Sequence, residues 1–369
     1  MTLKEAVGKV HLYVGLTIGI LFFVIAFSGA IYTWAPEISG VIYHQNVTPR
    51  SASFISASQA KSVLDIEFPE GDFRTIFYRD SSSTIQVLLY GQGTYYHAEI
   101  DPYEGTLVHL QDMNKGWLNY TKHLHRNLMM GNVGRQVVHW ATLLFLAMLV
   151  TGLVIWWPAN RIAVKERFTI KKGASRKKLN YDLHNVLGFY MTWVSIFSVV
   201  TGLFWGFSIV KDTLREATGE NKMEYDQPVS NIEGINKKNN HWTLIDSLAL
   251  TYRKQYPSRF VRASVPHKET DPIHVTVIDP GMASYKTDHL HFDRYTGQQL
   301  TGNFENTLQK EASLFHTLHM MNYDIHFGTI IGLPGRILVF LASLIASSLP
   351  VTGFIVWWGK RKRPTNENK

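Results

Sequence analysis

Residues 10–35 read VHLYVGLTIGILFFVIAFSGAIYTWA and contain no Asp, Glu, Lys or Arg. At about 1.5 Å per residue, a helix of this length is longer than the roughly 30 Å hydrocarbon core of a membrane. Residues 136–158, 183–210 and 337–359 pass the same test, and a pair of tryptophans closes the second and the fourth stretch, as at a membrane interface. The sequence therefore predicts four transmembrane helices.

The composition excludes several kinds of site. The 369-residue chain contains no cysteine, so it forms no disulfide, no thiolate zinc site, no all-cysteine iron–sulfur cluster and no thioether-linked haem. A metal must then be bound by His, Met or oxygen. The sequence also contains no G-x-G-x-x-G, P-loop or H-E-x-x-H motif, so it shows neither a nucleotide-binding fingerprint nor a zinc-protease motif.

Positive charge is concentrated in the short segments. The loop 159–182 has eight Lys and Arg against two acids, and the tail 360–369 begins Lys-Arg-Lys-Arg. The long segments 36–133 and 211–334 have seven against ten and thirteen against fifteen. Because basic loops stay in the cytoplasm, we expect residues 1–9, the loop and the tail to be cytoplasmic, and the long segments to lie in the periplasm of a bacterial inner membrane. The net charge of +8 then needs no nucleic-acid partner, since membrane lipid accounts for it.

The two halves of the chain repeat a pattern. In the first and third predicted helices a glycine follows a histidine by 18 residues, at His11–Gly29 and His184–Gly202. Further positions match at an offset of 201 residues, and they are His125, Gly131, Arg135, Thr151, Gly152 and Trp156 against His326, Gly332, Arg336, Thr352, Gly353 and Trp357. Since each half has two spans, we expect parallel repeats related by an axis along the membrane normal.

The long segments repeat as well. DPYEG at 101–105 parallels DRYTG at 293–297, and each reads as a strand, an Asx-type turn and a second strand. Alternating stretches before them predict antiparallel strands, while SASQAKSVLDIEF and LIDSLALTYRKQY predict short amphipathic helices. The predicted fold is a bundle of four transmembrane helices, built as a two-fold internal repeat, with two small α+β domains outside the membrane.

Two histidines lie inside predicted spans. An ionisable side chain within a membrane is costly and marks a functional site by default. His11 and His184 occupy matching positions, and two imidazoles facing one axis suit a bis-histidine haem b, which needs two axial nitrogens and no covalent bond to the ring. The alternative is a pair of neutral imidazoles hydrogen-bonded within the bundle. Asp182 is a candidate to orient His184, unless it is a solvated interfacial carboxylate.

A second histidine cluster is expected at the other end of the bundle. His125 and His326 match in the repeat and are the first choice for a second bis-histidine haem. His139 lies inside the second span and has no counterpart, because the offset of 201 leads to Phe340. Pairing of His139 with His319 or His326 is the main alternative.

Other repeated residues have two interpretations each. Arg135 and Arg336, at the membrane boundary, suit either haem propionates or lipid phosphates. Repeated small residues suit close helix packing or space for a flat macrocycle, and packing alone is the expectation for most of them. They are Gly15, Gly29, Gly152, Gly188, Gly202 and Gly353.

These motifs resemble those of the PepSY-associated transmembrane helix family over essentially the whole chain. The resemblance is carried by HRNLMMGNVGR at 125–135, HFGTIIGLPGR at 326–336 and TGFIVWW at 352–358, and the D-x-Y-x-G turns resemble PepSY domains. The family includes iron-regulated inner-membrane proteins and a siderophore reductase with two haems. The resemblance implies reduction of periplasmic ferric siderophore, with release of Fe(II).

The resulting hypothesis is a haem-dependent ferric-siderophore reductase with two non-covalent haems b. Its expected partners are a ferric siderophore of the hydroxamate type and a separate electron donor, either a cytoplasmic protein or a quinone. One alternative is a copper- or haem-handling protein, because HLHRNLMM and FHTLHMMNYDIH are rich in His and Met, which bind copper. Another is a non-catalytic membrane protein whose PepSY domains bind proteases.

Overall fold

The structure is a computed structural model that describes residues 1–158, 164, 167–220, 225–232, 240–281 and 283–361. Parts of the basic loop 159–182 and most of the tail 360–369 lie outside these residues. The chain forms two compact units. The helical unit comprises Met1–Trp34, Tyr120–Thr213 and Asn322–Lys369, and the sheet unit comprises Ala35–Asn119 and Leu214–Met321.

Four helical segments of the helical unit are long and apolar enough to cross a membrane, which confirms the predicted membrane protein. They are α1 (Leu3–Tyr32), α5 (Gly131–Trp156), the segment Arg176–Gly206 and α11 (Leu333–Arg361). The third consists of α6 (Arg176–Asp182), a π-helical turn (Leu183–Leu187) and α7 (Gly188–Gly206). Three helices begin several residues before the apolar stretch, because the chain stays helical up to its cap; in α1 that cap is a capping box of Thr2 and Glu5.

The helices form a bundle in which α1 and α7 each contact both α5 and α11. Its core contains Phe145, Leu149, Met191, Val199, Leu203, Ala342 and Ala346. Phe22 of α1 stacks on Phe145 of α5, with ring centres 3.7 Å apart. Pro350 lies within α11 beside Gly19, where an added Cβ would be 3.2 Å from the proline Cβ. The absence of a side chain at Gly19 thus permits close contact between α1 and α11.

The sheet unit is built on one antiparallel sheet of seven strands in the order β4-β3-β2-β1-β5-β6-β7. The first four strands are β1 (Asp72–Tyr78), β2 (Ile85–Gly91), β3 (Thr94–Ile100) and β4 (Leu107–Asp112). The others are β5 (Phe260–Ser264), β6 (Ile273–Ile278) and β7 (Thr287–Phe292). The amphipathic helices α3 (Ala57–Glu67) and α9 (His241–Gln255) pack on one face and close an apolar core.

The two long segments do not form two separate domains, which corrects the sequence prediction. Strand β1 pairs with β5 from Thr75↔Ser264 to Tyr78↔Val261, so that the two segments share one sheet and one core. Two separate sheets would have four edge strands with unpaired backbone groups, and the β1–β5 pairing leaves two, β4 and β7. The predicted Asx turns are present: Asp101 accepts from the backbone amides of Tyr103 and Glu104, and Asp293 accepts from those of Tyr295 and Thr296.

The remaining helices are short. They are α2 (Ala35–Ile42), α4 (Trp117–Asn127), α8 (Ser208–Ala217) and α10 (Leu314–Phe327), with 3-10 turns at Ser284–Lys286, Gln309–Glu311 and Thr329–Ile331. His125 lies near the end of α4 and His326 near the end of α10. These two helices therefore position the second pair of candidate histidines.

Candidate functional site: two histidine-lined cavities

In the described part of the helical unit, two cavities are lined by histidines. Cavity A, of about 370 Å³, is lined by His11 and His184. Cavity B, of about 490 Å³, is lined by His125, His139 and His326. Phe22 and Phe145 line both cavities, so the stacked pair of rings forms part of the wall that the two cavities have in common.

In cavity A, each histidine is oriented by a threonine of a neighbouring helix. The Nδ1 atom of His11 lies 2.9 Å from Oγ1 of Thr151, and that of His184 lies 3.0 Å from Oγ1 of Thr352. Each hydroxyl donates its only proton to a backbone carbonyl of its own helix. With the hydroxyl proton on the carbonyl, the imidazole donates from Nδ1, and this tautomer leaves Nε2 with a free lone pair.

The same arrangement occurs in cavity B. Nδ1 of His125 donates to the carbonyl oxygen of Ile25 over 2.8 Å. Nδ1 of His326 lies 2.9 Å from Oγ1 of Thr201, whose hydroxyl proton is donated to the Phe197 carbonyl. Both imidazoles thus present an unprotonated Nε2. Histidines that bind a metal usually donate their other ring nitrogen in this way, because the bond fixes the tautomer and the ring orientation.

Four of the repeated glycines lie against these rings. A Cβ atom added at Gly29 would be 2.7 Å from Cε1 of His125, and one added at Gly353 would be 3.1 Å from Cε1 of His184. At Gly152 and Gly202 the corresponding distances to His11 and His326 are 3.4 and 3.8 Å. The lack of a side chain at these four glycines lets the imidazoles approach the neighbouring helix closely, and at Gly202 the Thr142 methyl is nearer still, at 3.4 Å. Gly15 and Gly188 face aliphatic side chains, those of Met148 and Leu349.

The residues present fit a bis-histidine haem. Bonds between an imidazole nitrogen and a metal are about 2 Å long, so two histidines on one ion place their ring centres about 6 Å apart. The ring centres of His125 and His326 are 6.1 Å apart. Among the described residues, no group of three or more His, Asp or Glu side chains is arranged to hold a metal ion. Each cavity offers a pair of histidines, the number of protein ligands that a bis-histidine haem takes.

The alternative ligands of cavity B are placed differently. His139 lines the cavity, but its ring packs against Phe207 and Gly206, and its buried Nδ1 has no hydrogen-bond partner among the described residues. His319 lies on α10 beside Phe315 and is not among the residues that line either cavity. The geometry thus favours the pairing of His125 with His326.

The two arginines predicted at the membrane boundary have different surroundings in the structure. Arg135 lines cavity B. Arg336 donates from Nη2 to the Thr33 carbonyl over 2.8 Å and lies over the Trp34 ring. Asp182 does not orient His184, since Thr352 does. The buried Asp182 forms an ion pair of 2.8 Å with Lys178.

Several residues of these cavities were missed by the sequence prediction. Lys122 and Arg126 of α4 line cavity B together with Arg135. Burial, and secondly the charge of Arg126, lower the pKa of Lys122. The threonines that orient the histidines were also missed, although Thr151 and Thr352 belong to the repeated Thr-Gly pairs. Thr151 and Thr352 follow the Gly-Arg pairs at the same spacing, and this repeat is the sequence feature that could have identified them.

The sequence was compared with known proteins and protein families. A search of curated proteins finds no match. The sequence profile of the PepSY-associated TM region matches residues 9–360, which includes all four membrane-spanning segments and the sheet unit between them. The chain therefore belongs to the family of the PepSY-associated TM region.

Proposed function

We propose that this protein is a di-haem b oxidoreductase of the bacterial inner membrane, which passes electrons from a cytoplasmic-side donor to periplasmic ferric siderophore. One observation carries the proposal. Each of the two cavities is lined by a pair of histidines whose Nδ1 atoms are held by hydrogen bonds and whose Nε2 atoms are free to bind iron. The pairs are His11 with His184 and His125 with His326.

The residues of the bundle have separate tasks in this function. A haem held by each histidine pair would supply one-electron Fe(III)/Fe(II) chemistry. Thr151 and Thr352 hold the imidazoles of cavity A, while Thr201 and the Ile25 carbonyl hold those of cavity B. Phe22 and Phe145 occupy the wall shared by the cavities and exclude water from it.

The chemistry of the substrate explains why the transfer of one electron is sufficient to release the iron. Hydroxamate oxygens are hard ligands that match Fe(III). The donor loses one electron and the bound Fe(III) becomes Fe(II), which these oxygens hold weakly, so the iron is released. Since the sequence shows no nucleotide-binding fingerprint, the donor is a separate protein or a quinone. The distribution of basic residues supports cytoplasmic termini and periplasmic long segments.

An absorption spectrum of the detergent-purified protein tests the proposal. We expect sharp b-type bands after reduction with dithionite, a pyridine haemochrome content of about two haems per chain, and reoxidation by ferric siderophore. His11→Ala or His184→Ala should remove one haem, and His125→Ala or His326→Ala the other. His123→Ala is the matched control, because His123 lies on α4 beside His125 but lines neither cavity. A colourless protein with full helix content would refute the proposal.

A further inference from the structure

The two cavities differ in charge. The described residues that line cavity B include three cations, Lys122, Arg126 and Arg135, and no Asp or Glu. The described residues that line cavity A include no Lys, Arg, Asp or Glu. Lys122 is half-buried, and the two arginines are exposed at the cavity mouth. The two candidate haem sites are therefore alike in their histidines and unlike in the charge of the side chains that line them. The nearest described cation of cavity A in the hydrogen-bond network is Arg167, which does not line the cavity and donates to its lining residue Asn185 over 3.2 Å.

The cations of cavity B all come from one half of the chain. They lie on α4 and in the first turns of α5. At the offset of 201 residues, Lys122 and Arg126 correspond to Tyr323 and Phe327. These two rings line the cavity from α10 and stack with centres 4.5 Å apart. One wall of cavity B is thus cationic and another is aromatic.

Such a wall suits a ligand with anionic groups on one edge. Cations that line an apolar cavity favour an anion, and Arg binds carboxylates through two parallel hydrogen bonds. We propose that Lys122, Arg126 and Arg135 bind the carboxylates of the tetrapyrrole in cavity B and thereby hold the midpoint potential of that haem above the midpoint potential of the haem in cavity A. The inference rests on the proposed function and adds to it the order of the two potentials.

The direction follows from electrostatics. The oxidised iron centre carries one more positive charge than the reduced centre. Nearby cations therefore disfavour the oxidised form, and they also cancel the carboxylate charges that would stabilise it. Both effects raise the midpoint potential in cavity B. Electrons then move spontaneously from cavity A to cavity B, which is the direction that the proposed function requires.

Single-haem variants isolate the effect. His184→Ala leaves cavity B as the only intact site, and His326→Ala leaves cavity A. In neutral detergent, spectroelectrochemical titration should give a higher midpoint potential for the first protein than for the second. Adding Lys122→Gln, Arg126→Gln or Arg135→Gln should shift the potential to more negative values in the His184→Ala protein, and most in the triple variant. The same changes should leave the His326→Ala protein unshifted.

Lys4→Gln serves as the matched control, because it removes one exposed positive charge of the bundle at a residue that lines neither cavity. An unshifted potential in all three charge variants of the His184→Ala protein would assign the cations to lipid phosphates and overturn the inference. A potential in cavity B at or below that of cavity A would also overturn it. Absence of haem from the unaltered chain would refute the proposed function itself, and this inference with it.

A second measurement applies if the triple variant does not retain haem. Haem-free protein is titrated with haem and with the haem dimethyl ester, whose carboxylates carry no charge. Replacement of the three cations should weaken binding of haem to cavity B at least several-fold and should leave binding of the ester unchanged. Equal losses for the two ligands would show that the substitutions disturb the cavity itself, and would overturn the assignment of the cations to the carboxylates.

Discussion

At the scale of single residues, the threonines that orient the histidines determine whether Nε2 is available to iron. Thr352→Val keeps the side-chain shape but removes the acceptor for Nδ1–H of His184. Loss of such a partner typically weakens metal binding by about 10- to 100-fold. We therefore expect the Thr352→Val protein to lose haem from cavity A when it is diluted, as measured by its haem content. The Thr352→Ser protein, which keeps the hydroxyl, should retain this haem. Thr17→Val is the control, since its hydroxyl bonds only the Tyr13 carbonyl. Equal haem retention in Thr352→Val and Thr17→Val would contradict this role.

The glycines give a second prediction at this scale. Gly29→Ala would place a Cβ 2.7 Å from Cε1 of His125, so the imidazole must leave the position in which its ring centre lies 6.1 Å from that of His326. Haem content should fall from two to one per chain, with the remaining haem in cavity A. Gly40→Ala is the control, because Gly40 lies in helix α2, lines neither cavity, and an added Cβ meets nothing within 4 Å. Two retained haems in Gly29→Ala would show that the ring position is not critical.

At the scale of elements, sequence reasoning found the helices and missed one strand pairing. The spans were predictable because apolar residues must fill the hydrocarbon core. The ends of α1 and α5 were not, since caps and interfacial turns lie beyond the apolar stretch. The pairing of β1 with β5 joins residues nearly 190 positions apart. Alternation within each strand predicts a strand but carries no information about its neighbour, so two domains were expected where one sheet exists.

The face of the sheet opposite the apolar core carries a stack of buried histidines that predicts acid sensitivity. His274 of β6 lies between His289 and His291 of β7, with ring centres 5.2 and 4.5 Å away. Nε2 of His274 and Nδ1 of His289 are 3.0 Å apart. Burial and the neighbouring histidines lower the pKa of His274 to about 3 and that of His289 to about 4, and Arg262 contributes to both shifts. The stack is therefore neutral in the folded protein at neutral pH.

The other groups that face the stack are Asp288 and His316, and Nε2 of His291 bonds the Asn306 carbonyl. Below about pH 6.5 the unfolded chain binds protons that the folded stack does not, so stability falls as the pH decreases toward the folded pKa values. The loss approaches about 1.4 kcal/mol per pH unit for each histidine that titrates fully. Hydrogen exchange of β6 and β7, corrected for intrinsic rates, should show more opening at pH 4.5 than at pH 7. His274→Gln should reduce this difference, and an unchanged difference would exclude the stack as its cause.

At the scale of the whole molecule, the repeat in the sequence guided the search for the sites. It identified His11, His184, His125 and His326, which line the two cavities in pairs. It did not identify Lys122 and Arg126, because these residues have no counterparts at the offset of 201. A repeat identifies residues that the two halves have in common, whereas Lys122 and Arg126 occur in one half only. These cations were identified from the structure, which shows that side chains from different helices line the same cavity.

The last prediction concerns transfer between the two sites. If the chain carries electrons in one direction through both cavities, loss of either site stops turnover. Loss of cavity B should leave reduction by the donor, and loss of cavity A should leave oxidation by the siderophore. In proteoliposomes with the basic loops facing a reduced quinone or protein donor, the His326→Ala protein should be reduced at cavity A and should not be reoxidised by ferric siderophore on the other side. The His184→Ala protein should resist reduction by the donor, while its chemically reduced haem should still be oxidised by the siderophore. Stopped-flow absorption on the two variants distinguishes these cases, with His123→Ala as the variant that keeps both reactions. Oxidation of the haem in cavity A by siderophore in the absence of cavity B would show that the two sites act independently.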